Sequence, residues 1–289
     1  MKLASSQLQL VVVYFGQVKK SHNDSLAALC DDPDVDIVIL AFLNTLWGAR
    51  SLPDTNFWPY CHSTVSGTNL AHCPTYENDI KTCQSNKKKV LLSIGGATMT
   101  QSMTDPLGFA RNVWNLFGRG HSTIRPFGTA VVDGFDLDIE NNDPRGWREL
   151  ISELRALASP TGGLIMSGAP QCPRPDVSLG DAVYDLDLLF IQFYNNWCGG
   201  NNIPDSFREW SLDMMAKNSR AKLFVGVPGS PDAASSGYLP SLQMASLVNQ
   251  VKGYPNYGGV MTWDWAYAKN NKDLGTNRRN YMEFLRWVA

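Results

Sequence analysis

Eight short apolar runs recur along the chain, at 8–15, 35–42, 89–94, 130–139, 164–169, 188–194, 222–227 and 258–263. The stretches between them have helical spacing instead: Phe109, Val113, Trp114 and Phe117 fall on one stripe, and Trp147, Leu150, Ile151 and Leu154 on another. Strand-type runs alternating with helical segments imply an α/β fold with a parallel sheet. With 289 residues available and about 250 needed, closure into a single (β/α)8 TIM barrel is the expected outcome. An open doubly wound sheet is the alternative, but no GxGxxG turn follows the first run. No Pro/Ser/Thr-rich linker, low-complexity segment, internal repeat or appended cysteine-rich module interrupts the chain, so 1–289 reads as one domain. Residues 1–7 lack the apolar core of a signal peptide and read as a disordered leader or an added start.

A barrel of this type carries its active site at the C-terminal ends of its strands, so polar residues that close an apolar run are the candidates for chemistry. The fourth run ends in such a series. Period-two alternation puts Phe135, Leu137 and Ile139 toward the outer helices, and Asp136, Asp138 and Glu140 toward the barrel axis. Asp133 is out of phase, near the strand's start. Three carboxylates in one desolvated column cannot all ionise, so at least one should hold a proton at neutral pH, and their titrations should be coupled. That suits a protonated acid catalyst. A solvated acidic edge strand would not be flanked by apolar residues, and a divalent-metal site is the remaining rival.

Composition narrows the partners. The net charge of −2 and the lack of a basic stripe argue against nucleic acid. No run of 18 apolar residues exists, so no membrane span is expected. Six cysteines, an even number with no CxxC pair, suit disulfides in an oxidising compartment better than zinc; six buried thiols are the other reading, and spacing alone leaves fifteen pairings open. The sequon Asn23-Asp24-Ser25 points the same way.

Asp133-Gly134-Phe135-Asp136-Leu137-Asp138-Ile139-Glu140 matches the DGxDxDxE signature of family 18 glycoside hydrolases. Six further segments resemble the plant class III and related fungal endochitinases of that family, in the same order: Tyr14-Phe15-Gly16-Gln17, Ala41-Phe42-Leu43-Asn44, Ser93-Ile94-Gly95-Gly96, Ala169-Pro170-Gln171-Cys172-Pro173, Gln192-Phe193-Tyr194-Asn195-Asn196, and Tyr257 to Met261 with Trp263-Asp264. The resemblance implies a secreted, monomeric chitinase with no cofactor, no metal and no appended carbohydrate-binding module, acting on chitin or chitooligosaccharides. It implies that Glu140 is the general acid/base, that Asp138 orients the substrate acetamide, that Asp136 shares a proton with Asp138, and that Tyr194 hydrogen-bonds the acetamide carbonyl. Trp263 would floor the central subsite, with Gln192, Asn195, Tyr14, Asn44, Gly95, Gly96 and Ala169 as further substrate-binding positions and Asp133 in support. The implied disulfides are Cys30–Cys83, Cys61–Cys73 and Cys172–Cys198.

The chain departs from the family pattern at Phe15, where tryptophan is usual, and at Val18 and Gly168, changes expected to alter outlying subsites at most. The aromatic loop 44–69, with Trp47, Phe57, Trp58 and Tyr60, reads as a packed surface loop or as a wall of the cleft. Three rival functions remain at this stage: a chitin-binding lectin or effector without turnover, an endo-glycosidase acting on N-glycans or peptidoglycan, and a metal-dependent hydrolase.

Overall fold

A computed structural model describes residues 9–57, 60–272 and 277–289. The leader 1–7, Leu8 at the head of the first run, and Trp58 lie outside the described residues. Runs rich in Val, Ile, Leu and Phe form the strands β1 (Leu10–Phe15), β2 (Ile37–Thr45), β3 (Lys89–Gly95), β4 (Gly134–Asp138), β5 (Ile165–Gly168), β6 (Leu188–Gln192), β7 (Lys222–Pro228) and β8 (Tyr257–Trp263). Each pairs in parallel with the next, and β8 pairs with β1, so the eight strands close into a ring. A two-residue strand, Asp54–Thr55, adds antiparallel to the end of β2.

Parallel barrel strands are buried on both faces, which is why their sequences are almost continuously apolar. The barrel interior is filled by Val12, Tyr14, Ile37, Ile39, Leu91, Phe190, Phe224 and Met261. A larger outer layer, including Phe135, Leu137, Ile139, Trp147 and Leu150, packs between strands and helices. The helices are α1 (Leu26–Cys30), α2 (Thr75–Ser85), α3 (Pro106–Leu116), α4 (Trp147–Ala158), α5 (Ile203–Lys217), α6 (Ser241–Val251), α7 (Trp265–Asn270) and α8 (Tyr281–Val288). After β5 the expected helix is replaced by a 3-10 turn, Gly180–Asp185. Pro173 and Pro175, which lack N–H donors, precede it, and Gly180 opens it at φ +52°.

The fourth strand is shorter than its apolar run. The Ala130 and Val132 amides donate to the carbonyls of Phe127 and Phe117, so the segment before Gly134 is a loop packed beyond the end of α3. Asp133 belongs to a device repeated at three alternate strands. Asp36, Asp133 and Asp187 each stand one residue before β2, β4 and β6. Their carboxylates accept the backbone N–H of Val11 (2.8 Å), Val90 (3.0 Å) and Met166 (2.9 Å), each the second residue of a neighbouring strand. Each also meets a cation: Arg286, Lys89 and Arg155 respectively. These clamps close the barrel at the strand starts, opposite the end where Glu140 emerges.

The disulfides are Cys30–Cys83, joining α1 to α2, Cys61–Cys73 within the loop after β2, and Cys172–Cys198, joining the loops after β5 and β6. The described aromatics of loop 44–69 are packed: Trp47 on Phe109, Phe57 between Tyr76 and Phe127, and Tyr60 on Phe15. Phe15 is turned outward between Tyr60 and Trp265, so its departure from the family pattern falls in the core and not at an outlying subsite.

Candidate active site

Asp136 is fully buried halfway along β4, and three hydroxyls converge on it. Tyr14 and Ser93 donate to Oδ2 at 2.7 Å each, and Ser167 donates to Oδ1 at 2.6 Å. Burial raises its pKa while these donors work against the rise, favouring the anion. The flanking strands β3 and β5 set Ser93 and Ser167 level with Asp136, while Tyr14 reaches it through the barrel interior from β1, which does not pair with β4.

Two residues on, Asp138 is 5% exposed. Its Oδ1 accepts from Gln192 Nε2 at 2.8 Å, and Gln192 is itself held by the Ala169 carbonyl at 2.9 Å. Asp138 is hydrogen-bonded with Glu140, which stands just beyond the strand, half-buried. Burial, then the charges of Glu140 and Asp136, hold Asp138 well above the ordinary carboxylate range. Burial likewise raises Glu140, opposed by its bonds with Gln192 and Asp138, with a further push upward from the Asp176 charge. Such a pair shares a proton and titrates as a unit. Tyr194 stays a neutral phenol, raised by burial and by the surrounding carboxylates.

Glu140, Asp138, Gln192, Tyr194, Asn195 and Trp263 line one cavity of about 290 Å³ at the C-terminal end of the barrel. Trp263 stacks with Phe42 (ring centroids 5.8 Å apart) and meets the edge of Tyr14 (5.6 Å), so its indole is fixed in orientation. The exposed Asn195 is tied to the loop after β7, its Oδ1 accepting from Ser235 Oγ (2.7 Å) and the Ser236 amide (3.0 Å).

The other positions singled out in the sequence lie beneath or beside this cavity. Tyr14 is buried under it and acts on Asp136. Ala169 is buried and presents its carbonyl to Gln192. Asn44, the last residue but one of β2, has its amide oxygen buried and without a hydrogen-bond partner, away from the cavity lining. Gly95 and Gly96 serve close backbone approach. Both have positive φ, the Gly96 amide donates to the Asp138 carbonyl at 2.7 Å, and a Cβ on Gly95 would stand 2.1 Å from that oxygen. Asp133 lies at the far end of β4, in its clamp.

Several contributors were not identified from the sequence as site residues. Gln17, Phe42, Ala97, Thr98, Gln171 and Ala233 also line the cavity. Gln17, Phe42 and Gln171 sit inside the matched motifs, so position relative to those motifs was the available signal; Ala97 and Ala233 had none. Asp176 was missed too. Buried, it accepts the amides of Gln171 (2.7 Å), Ser178 (3.0 Å) and Leu179 (2.6 Å), and so fixes the loop that carries Gln171.

Among the described residues no three His, Cys, Asp or Glu side chains are grouped as metal ligands would be. A larger groove of about 910 Å³ runs along the outside of the barrel, but two of its arginines, Arg148 and Arg155, are paired with its own Asp185 and Asp187.

Comparison with known proteins places this geometry. Residues 10–237 match the family described as glycosyl hydrolases family 18. The chain is 40% identical over 275 residues to chitinase 1 of Rhizopus niveus, a match covering 90% of this chain and 55% of that protein. It is 38% identical to a class III chitinase of Arthroderma benhamiae, covering 89% and 85% of the two chains. Among solved structures, a chitinase from Ipomoea carnea superposes with a TM-score of 0.82 at 29% identity over 97% of this chain and 100% of that one. A xylanase and α-amylase inhibitor protein from Scadoxus multiflorus superposes with a TM-score of 0.76 at 32% identity, covering 90% and 94%. The chain spans about half the length of the first curated relatives it matches. It belongs to glycosyl hydrolases family 18.

Proposed function

From membership of family 18 we infer that the chain is an endo-type chitinase, cleaving β-1,4 bonds of N-acetylglucosamine polymers with retention through the substrate's own acetamide. The observation that carries the reading is that Asp138 and Glu140 meet Gln192, Tyr194 and Trp263 in one cavity, with Asp138 held by Gln192 and the indole held by Phe42 and Tyr14. Chitin is a neutral polymer, and no lysine or arginine lines this cavity among the described residues.

Glu140 gives its proton to the glycosidic oxygen, and the bond from that oxygen to the anomeric carbon breaks. The acetamide carbonyl oxygen forms the new bond to that carbon, giving a cyclic oxazolinium ion. Asp138, left as a carboxylate, accepts from the acetamide N–H and offsets its positive charge. Tyr194, kept neutral, donates to the acetamide oxygen. Water then attacks the anomeric carbon from the vacated side, Glu140 takes its proton, and the ring reopens. Asp136 stands behind Asp138 and takes a share of its proton as Asp138 changes partner. Gln192 holds Asp138 in register between the two acids.

Three disulfides support a secreted enzyme, and we propose that it acts as a monomer. A second reading, binding without turnover, is favoured by one observation: the xylanase and α-amylase inhibitor protein from Scadoxus multiflorus shares this fold at 32% identity. The test is hydrolysis of the N-acetylglucosamine hexamer by the parent and by Glu140→Gln, following product mass and anomeric form. We expect short β-anomeric products from the parent and a loss of about 10²–10⁴-fold in the variant. Binding without cleavage by both proteins would replace the enzyme reading with the second one.

A further inference from the structure

Trp197 stands 74% exposed on the loop that follows β6. A large apolar ring left in water on an otherwise ordered rim is free to stack against a ligand that passes over it. The loop beneath it is held at several points. Cys198 is bonded to Cys172. Asn196 Nδ2 donates to Gln171 Oε1 at 2.5 Å and to the Tyr194 carbonyl at 3.0 Å. Asn202 Nδ2 donates to the Trp197 carbonyl at 2.7 Å. Gly199 approaches Phe193 so closely that a Cβ would stand 2.4 Å from its carbonyl oxygen. The backbone is therefore fixed before any ligand arrives, and ordering it on binding costs little.

Position gives this ring its ligand. Tyr194 and Asn195, on the same loop, line the catalytic cavity. Trp197 follows Asn195 by two residues, so their Cα atoms are at most about 7 Å apart. A cavity of about 290 Å³ is at the small end for ligand pockets. A polymer cut within it must leave across the rim. We propose that Trp197 is a stacking platform for an N-acetylglucosamine unit of the same chain, outside the central cavity. This rests on the chitinase reading and deepens it: the platform makes affinity depend on oligomer length. A pyranose presents an apolar face of C–H groups to the indole, and no charge is needed on either side.

The test compares the parent with Trp197→Ala and Trp197→Phe on two substrates: the N-acetylglucosamine hexamer and an aryl glycoside of the dimer, too short to reach beyond the central subsites. For Trp197→Ala we expect the hexamer KM to rise about fivefold with kcat within about twofold of the parent. The aryl glycoside should be turned over as before, and Trp197→Phe should recover most of the hexamer affinity. An unchanged hexamer KM, or an equal loss on both substrates, overturns the platform. A parent that dimerises, and loses this with the alanine variant while the hexamer KM stays put, would assign the ring to self-association instead. Should the parent cut neither substrate, the chitinase reading fails separately. Calorimetric titration of the hexamer then decides the platform, and equal affinities for parent and Trp197→Ala overturn it.

Discussion

The two ends of the barrel use aspartate in opposite ways. At the strand starts, Asp36, Asp133 and Asp187 each hold a backbone N–H and a cation. At the strand ends, Asp136, Asp138, Glu140 and Asp176 make no ion pair among the described residues, and all four have raised pKa values caused first by burial. The same side chain contributes stability where it is paired and costs stability where it is crowded with its like. The crowded end is the one with the cavity. That division is expected if the protons held there serve chemistry, and it fails if substitutions at both ends behave alike.

The largest expected effect is at the crowded end. Asp138→Asn should lower hexamer turnover by about 10²–10³-fold, since an amide cannot share the Glu140 proton. Because a like-charge repulsion is removed, the melting temperature should stay level or rise. A variant that instead melts earlier would show that Asp138 is structural.

Asp264 extends the contrast to the N-cap of α7, beside Trp263. Burial pushes its carboxyl up to about 7 from the usual 3.8, against the pull of two backbone amides. Between those values the folded chain holds a proton that the unfolded chain has lost, so stability falls as pH rises from about 4 through 7. Asp264→Asn keeps a capping oxygen and removes the charge. It should leave the urea midpoint unchanged at pH 4 and raise stability at pH 8 by on the order of 3 kcal/mol. Equal shifts at both pH values would sink the titration account.

At the paired end the signs reverse. Asp133→Ala strands the Val90 amide at the strand start and should cost about 2 kcal/mol in urea unfolding, with turnover per folded molecule unchanged. Its exposed partner Lys89 should contribute almost nothing, as Lys89→Met would report.

The smallest effect concerns Asp176, whose charge helps raise both members of the catalytic pair. Removing that charge in Asp176→Asn lowers the pH at which the pair gives up its proton. The alkaline limb of kcat/KM should move to lower pH by about half a unit. A fall in rate with the limb in place would mean that Asp176 acts only by holding Gln171.

The sequence carried most of this architecture because barrel strands are buried on both sides and leave long apolar runs. Period-two alternation was enough to face Asp136, Asp138 and Glu140 inward. Other parts were legible only in three dimensions. The end of β4 was readable, but its start was not, because Ala130 and Val132 are as apolar as strand residues while they pack as a loop. Ser93 and Ser167 look like ordinary small residues within strands, and only the pairing of β3 and β5 with β4 brings their hydroxyls to Asp136. Asp176 follows a proline and lies outside any periodic pattern, so its three amide partners leave no trace in the spacing. Tyr14 was singled out as a substrate-binding position because its motif resembles the family's first strand, but its hydroxyl is spent one layer down on Asp136.

The clamps at the strand starts bear on how such a chain can change over generations. Asp138 stands five positions along the strand from Asp133, about 17 Å at a strand's rise. Insertions and deletions in the rim loops are thus felt far from the bonds that hold the ring shut. Lineages descending from a barrel fastened in this way are free to reshape what they grip, loop by loop, while inheriting the chassis unaltered.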